Sequence, residues 1–324
     1  MLNQAGLFCV GLVGLYFGAE WLVRGSARLA RSFGVGPLVV GLTIVAFGTS
    51  APELVVSAVA AARGEGDLAL GNVVGSNILN LALIVGAAAM LRPMVVRMSL
   101  VYRESPVMVA AAVALPVLGL DGTLSRADGV VLLAAFGAYL FYVIRAARRE
   151  SGFVEEEFRE FQAAEAIERR ADPRAAGRLP NVGWTVLGIA ALLAGAQLMV
   201  GAAVYFARAA GVSDLVVGLT VIALGTSLPE LATSTVAARR GEADIALGNA
   251  LGSNIFNVFC ILAVAALVRP IHVQAALFRF EVPVLIGVSA LFPLLAWTRR
   301  RIGRLEATLL LACYVGFTVT LIVR

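Results

Sequence analysis

Apolar runs of about 20 residues, the length that carries a helix across a bilayer, recur along this chain and are separated by short segments bearing arginine. They predict ten transmembrane helices near residues 5–23, 37–61, 68–91, 105–120, 127–144, 182–207, 215–238, 245–268, 281–297 and 305–323. Five precede and five follow the one long hydrophilic stretch, 146–180, which carries an EEEF run at 155–158. That stretch reads as a cytoplasmic linker with room for a short amphipathic helix at 154–170 but for no folded regulatory domain. It lacks the D-x-[DN]-x-[DN]-G pattern of a calcium loop.

The two sets of five repeat each other. Residues 41–80, GLTIVAFGTSAPELVVSAVAAARGEGDLALGNVVGSNILN, align without a gap on 218–257, GLTVIALGTSLPELATSTVAARRGEADIALGNALGSNIFN, at an offset of 177 and agree at 27 of 40 positions. An odd number of spans per copy makes the second copy enter the membrane from the opposite side, so the repeats are inverted. The expected fold is therefore an all-α polytopic membrane protein of ten helices in two inverted five-helix repeats, 1–145 and 181–324, joined by the linker 146–180. Arginine tests the orientation. With the N-terminus outside, 20 arginines fall on the inner side and 6 on the outer, the bias expected of cytoplasmic loops. Both termini are then outside, in a prokaryotic cytoplasmic (inner) membrane. The first run lacks a basic n-region and reads as a transmembrane helix, not a cleaved signal.

Composition agrees: 60% of residues are hydrophobic and 15% charged, with mean hydropathy +0.90. The sequence pI near 9.5 does not point to nucleic acid, because the arginines flank apolar spans. Cys9, Cys260 and Cys313 are scattered through apolar segments and read as small buried hydrophobes.

Against this background the polar residues stand out. Glu53 and Glu230 are single acidic residues in matched apolar stretches, where a bilayer makes an unpaired charge expensive. Thr49 and Glu53 are four apart, as are Ser76 and Asn80, so each pair shares a helix face; Thr226 with Glu230 and Ser253 with Asn257 repeat the arrangement. With Ser50 and Ser227 they form a set of hard oxygen donors suited to Na⁺ or Ca²⁺ and poor for a soft transition metal. Pro52 and Pro229 lack the amide hydrogen that would bond the carbonyls of Gly48 and Gly225, and each is expected to kink its helix. Backbone oxygen freed at membrane depth needs a partner such as an ion, and the carbonyls of Ala46 and Ala223 lie close enough to join the set. The pairs Gly71/Gly75 and Gly248/Gly252 predict close helix packing. Asn72, Asn77, Asn249 and Asn254 are expected to bond helix to helix, not to ligate. Glu20 precedes Arg24 by four residues and is expected to pair with it; its repeat counterpart is Gln197. His272 falls in an expected outer loop with no metal-ligand partner, and Arg299 to Arg301 read as a cytoplasmic anchor.

The elements GTSAPE and GTSLPE, followed by GNVVGSN and GNALGSN, resemble the two alpha repeats of the cation/calcium antiporter superfamily, and the chain is similar to its prokaryotic sodium/calcium exchangers. The resemblance implies ions bound at mid-membrane between helices two, three, seven and eight. The implied ligands are Ala46 (carbonyl), Thr49, Ser50, Glu53, Ser76 and Asn80, with Ala223 (carbonyl), Thr226, Ser227, Glu230, Ser253 and Asn257. It also implies that the first and sixth helices, here 5–23 and 182–207, slide across the others. One departure is that some members carry Asp where this chain has Asn257, which leaves two carboxylates and argues against potassium co-transport.

The function expected is a secondary-active antiporter extruding Ca²⁺ against Na⁺. Na⁺ and Ca²⁺ are its substrates and the bilayer its surroundings, with no cofactor, no nucleic acid and no obligatory protein partner. The alternative is Ca²⁺/H⁺ exchange, in which the same carboxylates take protons. A passive cation channel, with the glutamates as a selectivity ring, is disfavoured by the inverted repeats. An enzyme is disfavoured because no nucleophile-base pair or HExxH motif is present.

Overall fold

The computed structural model of the chain describes residues 2–33, 35–150, 178–210, 223–274 and 277–323. Helix α1 runs Leu2–Ser32. A bent pair follows, α2 Pro37–Thr49 and α3 Ala51–Arg63, then α4 Gly66–Leu91 and α5 Leu100–Leu118, and α6 Arg126–Glu150. The second half holds α7 Arg178–Ala209, α8 Ala223–Thr226, α9 Leu228–Arg240, α10 Ala243–Val268, α11 Glu281–Arg299 and α12 Arg304–Val323. Among the described residues, eight helices are long and apolar enough to cross a membrane, nine if the bent pair is one span. The expected helix at 215–238 is described only from Ala223 onward, and the linker helix at 154–170 lies outside the described residues.

Several helices overrun their apolar windows. A hydropathy window ends at charge, whereas arginine is a good helix former, and α1 continues through Arg24 and Arg28 as a helix with one face buried against protein. Where proline predicts a kink, α2 and α3 meet at 48°. The break falls at Ser50 (φ −84°, ψ 10°), with Pro52 in the first turn of α3. Ser227 (φ −90°, ψ 7°) breaks the second half at the same place, between α8 and α9. Among the described residues, four two-residue strands that no sequence pattern predicts staple loops together: β1 Met94–Val95 pairs antiparallel with β4 Arg301–Ile302, and β2 Thr123–Leu124 with β3 Ile271–His272. His272 thus sits in a strand opposite Thr123.

Helices α4 and α10 form the centre: 78% of each span is buried inside the protein, against 33% for α1, 28% for α7 and 17% for α12. Both pass through a π-helical turn, Asn80–Ile84 in α4 and Asn257–Leu262 in α10, a distortion common at functional sites. At the periphery α1 and α7 pack antiparallel, so closely that a Cβ on Gly188 would lie 2.4 Å from Leu22 N and one on Gly11 2.7 Å from Gly195 O. Small residues are what let helices in lipid come together.

Contacts between the halves come in exchanged pairs. Arg92 packs on Gly241 and bonds Arg239 O at 3.1 Å, while Arg269 packs on Gly64; the two glycines (φ 85° and 84°) cap α9 and α3 in the left-handed conformation. Arg97 Nε meets Asp244 Oδ2 at 2.6 Å, and its counterpart Gln274 donates to Asp67. Glu20 pairs with Arg240 of α9, not with Arg24. Helix packing brings a distant guanidinium to it in preference to the one four residues on. This pair is partly exposed, with side chains at 23% and 30%, so Glu20→Gln should cost at most about 1 kcal/mol. Thermal unfolding of the detergent-solubilised protein checks this.

Candidate cation site

The two breaks place Ser50 and Ser227 where each helix stops and restarts, with the first-turn carboxylates Glu53 and Glu230 beside them. Each serine reaches the other half. Ser50 Oγ donates to Glu230 Oε1 at 2.7 Å and lies 2.9 Å from Ser253 Oγ; Ser227 Oγ donates to Glu53 Oε1 at 3.0 Å and lies 3.4 Å from Ser76 Oγ. Both glutamates are buried, at 0% and 1% exposure, and so are Thr49, Thr226, Ser76, Asn80, Ser253 and Asn257. Neither carboxylate has an arginine partner among the described residues, which is a costly state for buried charge.

Asparagines brace the backbone that carries the glutamates. Asn72 Nδ2 donates to Glu53 O (3.3 Å) and Ser57 Oγ (2.9 Å); Asn249 Nδ2 donates to Glu230 O (3.4 Å) and Ser234 Oγ (3.0 Å). Asn249 Oδ1 also accepts from Thr49 Oγ1 at 3.0 Å. Ser57 and Ser234 are absent from the ligand set expected from sequence, although each stands four residues after the glutamate of its repeat. Asn77 and Asn254 bond each other's main-chain carbonyls across the halves. These four asparagines therefore bond helix to helix, as expected.

Among the described residues, four oxygens of the expected ligands are buried without a hydrogen-bond partner: Glu53 Oε2, Glu230 Oε2, Asn80 Oδ1 and Asn257 Oδ1. Two belong to carboxyl groups and two to amides, and they form two repeat-related pairs. Buried oxygens of this kind are the donor type that a hard cation takes. Among the described residues no three His, Cys, Asp or Glu come together, so the donors do not make a soft-metal site. Of the expected carbonyls, Ala46 O accepts from Ser50 N (3.0 Å) and faces Thr49 Oγ1 at 3.4 Å. Ala223 opens α8 in the equivalent place.

Glycine sets the spacing around this site in the second half. A Cβ on Gly248 would lie 2.9 Å from Leu38 O, and one on Gly252 2.7 Å from Leu42 O. At Gly71 and Gly75 a Cβ would meet no described atom within 4 Å; the equivalent packing segment, 215–219, lies outside the described residues. Helix α7 passes over both breaks, with Ile189 against Gly48 and Val200 against Gly225.

The sequence profile of the sodium/calcium exchanger protein family matches residues 3–145 and 180–323. The sodium/calcium exchanger MaX1 of Methanosarcina acetivorans is 34% identical over 97% of both chains. The inner membrane protein YrbG of Escherichia coli K12 is 39% identical over 92% of this chain and 90% of that one. Among solved structures, the sodium-calcium exchanger NCX_Mj soaked with 2.5 mM Na⁺ and 0.1 mM Ca²⁺ superposes with a TM-score of 0.84 at 32% identity, covering 99% of each chain.

Proposed function

Because this chain belongs to the sodium/calcium exchanger protein family, we propose that it is an integral membrane antiporter that extrudes Ca²⁺ in exchange for Na⁺ by alternating access. The observation that carries the reading is the set of four unpartnered oxygens, Glu53 Oε2, Glu230 Oε2, Asn80 Oδ1 and Asn257 Oδ1, buried between the halves. In this reading the ligands are Glu53 and Glu230, with Thr49, Ser50, Ser76, Asn80, Thr226, Ser227, Ser253, Asn257 and the carbonyls of Ala46 and Ala223. The exchanged contact pairs support two inverted repeats, 1–145 and 181–324, around the linker 146–180. The arginine bias supports outer termini, and the name of the Escherichia coli relative supports an inner membrane.

Charge explains the coupling. Ion-free, the site holds two carboxylates away from water, and desolvation costs several kcal/mol per ion. Rearrangement across the membrane is disfavoured in that state. One Ca²⁺ neutralises both glutamates, and so do two Na⁺; a third Na⁺ would sit among the hydroxyl and carbonyl oxygens. Either load lets the site change sides, so each ion's passage requires the other's return. No cofactor takes part.

Radiolabelled Ca²⁺ uptake into Na⁺-loaded proteoliposomes, at clamped pH, tests this. Uptake should require the outward Na⁺ gradient and vanish with Na⁺ equal on both sides. Uptake indifferent to Na⁺ but driven by a pH gradient would replace Na⁺ by H⁺, and non-saturating flux without a counter-ion would indicate a channel.

A further inference from the structure

The amide orientation of Asn80 and Asn257 follows from a chain of donors and acceptors that starts at the backbone. A main-chain carbonyl can only accept a hydrogen bond. Asn77 Nδ2 donates to Asn254 O at 3.2 Å, and Asn254 Nδ2 donates to Asn77 O at 3.0 Å. With their nitrogens so committed, Asn77 Oδ1 is turned toward Asn257 and Asn254 Oδ1 toward Asn80. An amide oxygen carries no hydrogen, so each neighbour must present its own nitrogen: Asn257 Nδ2 to Asn77 Oδ1 at 2.9 Å and Asn80 Nδ2 to Asn254 Oδ1 at 3.0 Å. Only then do Asn80 Oδ1 and Asn257 Oδ1 become the buried, unpartnered atoms.

We propose that Asn77 and Asn254 are the positioning residues that make Asn80 and Asn257 oxygen ligands, each half orienting the ligand of the other. This rests on the cation-site reading above. Without the clasp an amide can rotate by half a turn and direct its NH₂ at the cation, which repels it. The clasp also selects the residue type. An ionised carboxylate at 80 or 257 would set oxygen against oxygen at Asn254 or Asn77, so the framework favours amides there and leaves the site's charge to Glu53 and Glu230.

The distinguishing property is the form of the coupling in Ca²⁺ affinity: loss of a positioning residue costs nothing more once the ligand it positions is gone. Calorimetric titration of the purified full-length protein with Ca²⁺, in Na⁺-free detergent buffer, would compare Asn77→Leu, Asn257→Leu and the double variant. Each single substitution should weaken Ca²⁺ binding about tenfold or more. Since Asn77 acts through Asn257, the double variant should bind no more weakly than Asn257→Leu alone. If Asn77→Leu weakens binding as much in the Asn257→Leu background as in the parent, the clasp is overturned. Should Asn77→Leu fail to fold, the cross-related cycle of Asn254→Leu with Asn80→Leu makes the same test. Glu53→Gln separates the two levels: undiminished Ca²⁺ binding in that variant removes the cation site itself, whereas lost binding with an additive cycle removes only the clasp.

Discussion

In Glu53→Gln and in Glu230→Gln, Ca²⁺ uptake is expected to fall to the level of protein-free liposomes while the protein remains folded. Glutamine keeps the shape of the side chain and an oxygen for the serine of the opposite half, Ser227 for Glu53 and Ser50 for Glu230. What is lost is one of the two negative charges, in a pocket where neither residue is more than 1% exposed. A divalent ion there keeps an uncompensated charge. Breaking a buried ion pair costs about 3–5 kcal/mol, or about two to three and a half decades in affinity. The ion-free protein should respond in the opposite sense. It no longer confines two unpaired carboxylates, so its thermal midpoint without Ca²⁺ should stay level or rise. The parent protein should gain about 2.7 kcal/mol of stability at Ca²⁺ a hundredfold above its Kd, and the variants at most about 0.4 kcal/mol at that concentration. Normal exchange in both variants would refute the assignment of these carboxylates.

The second large effect is expected at a residue with no side chain. In Gly252→Ala the new methyl would stand 2.7 Å from Leu42 O, 2.8 Å from Leu42 Cα and 2.9 Å from Ala46 Cβ. The first two are main-chain atoms, which cannot swing aside as a flexible side chain does. Relief therefore requires α10 and α2 to separate. The next residue on α10, Ser253, lies 2.9 Å from Ser50 at the end of that helix, so the separation is transmitted directly to the carboxylate shell. Overpacking of this kind costs about 1–3 kcal/mol, and Ca²⁺ affinity should fall with the thermal midpoint. Gly137→Ala in α6 is the control: no described atom lies within 4 Å of its Cβ, and alanine favours the helix by about 1 kcal/mol. Equal destabilisation of the two variants would show that packing at Gly252 is not the cause.

These predictions rest on unequal shares of sequence and structure. Glu53, Glu230 and their serine, threonine and asparagine neighbours were legible because the chain states them twice at one offset inside apolar runs, where polar residues are expensive. The breaks were legible for an equally local reason: Pro52 and Pro229 cannot complete a helix, and the chain breaks at Ser50 and Ser227, two residues before each. Helix lengths were less legible. An apolar window ends at the first arginines, but arginine is a good helix former, so α1 runs on to Ser32 past its window. Two-residue strands carry no pattern long enough to detect, and so β1 to β4 went unforeseen.

The sequence by itself determined the membrane class, the repeat, the places where helices break and the chemical types of the candidate ligands, because each depends on composition or on residues within a helical turn of one another. Only the tertiary structure decided which oxygen faces which. Ser50 bonds Glu230 and not Glu53, Glu20 answers Arg240 and not Arg24, and the amides of Asn80 and Asn257 turn their oxygens free. Each of those choices is made by a residue more than 170 positions away. Close helix packing brings such residues together, and a hydrogen bond's strict distinction between donor and acceptor then fixes which atom of each amide is paired and which is left over.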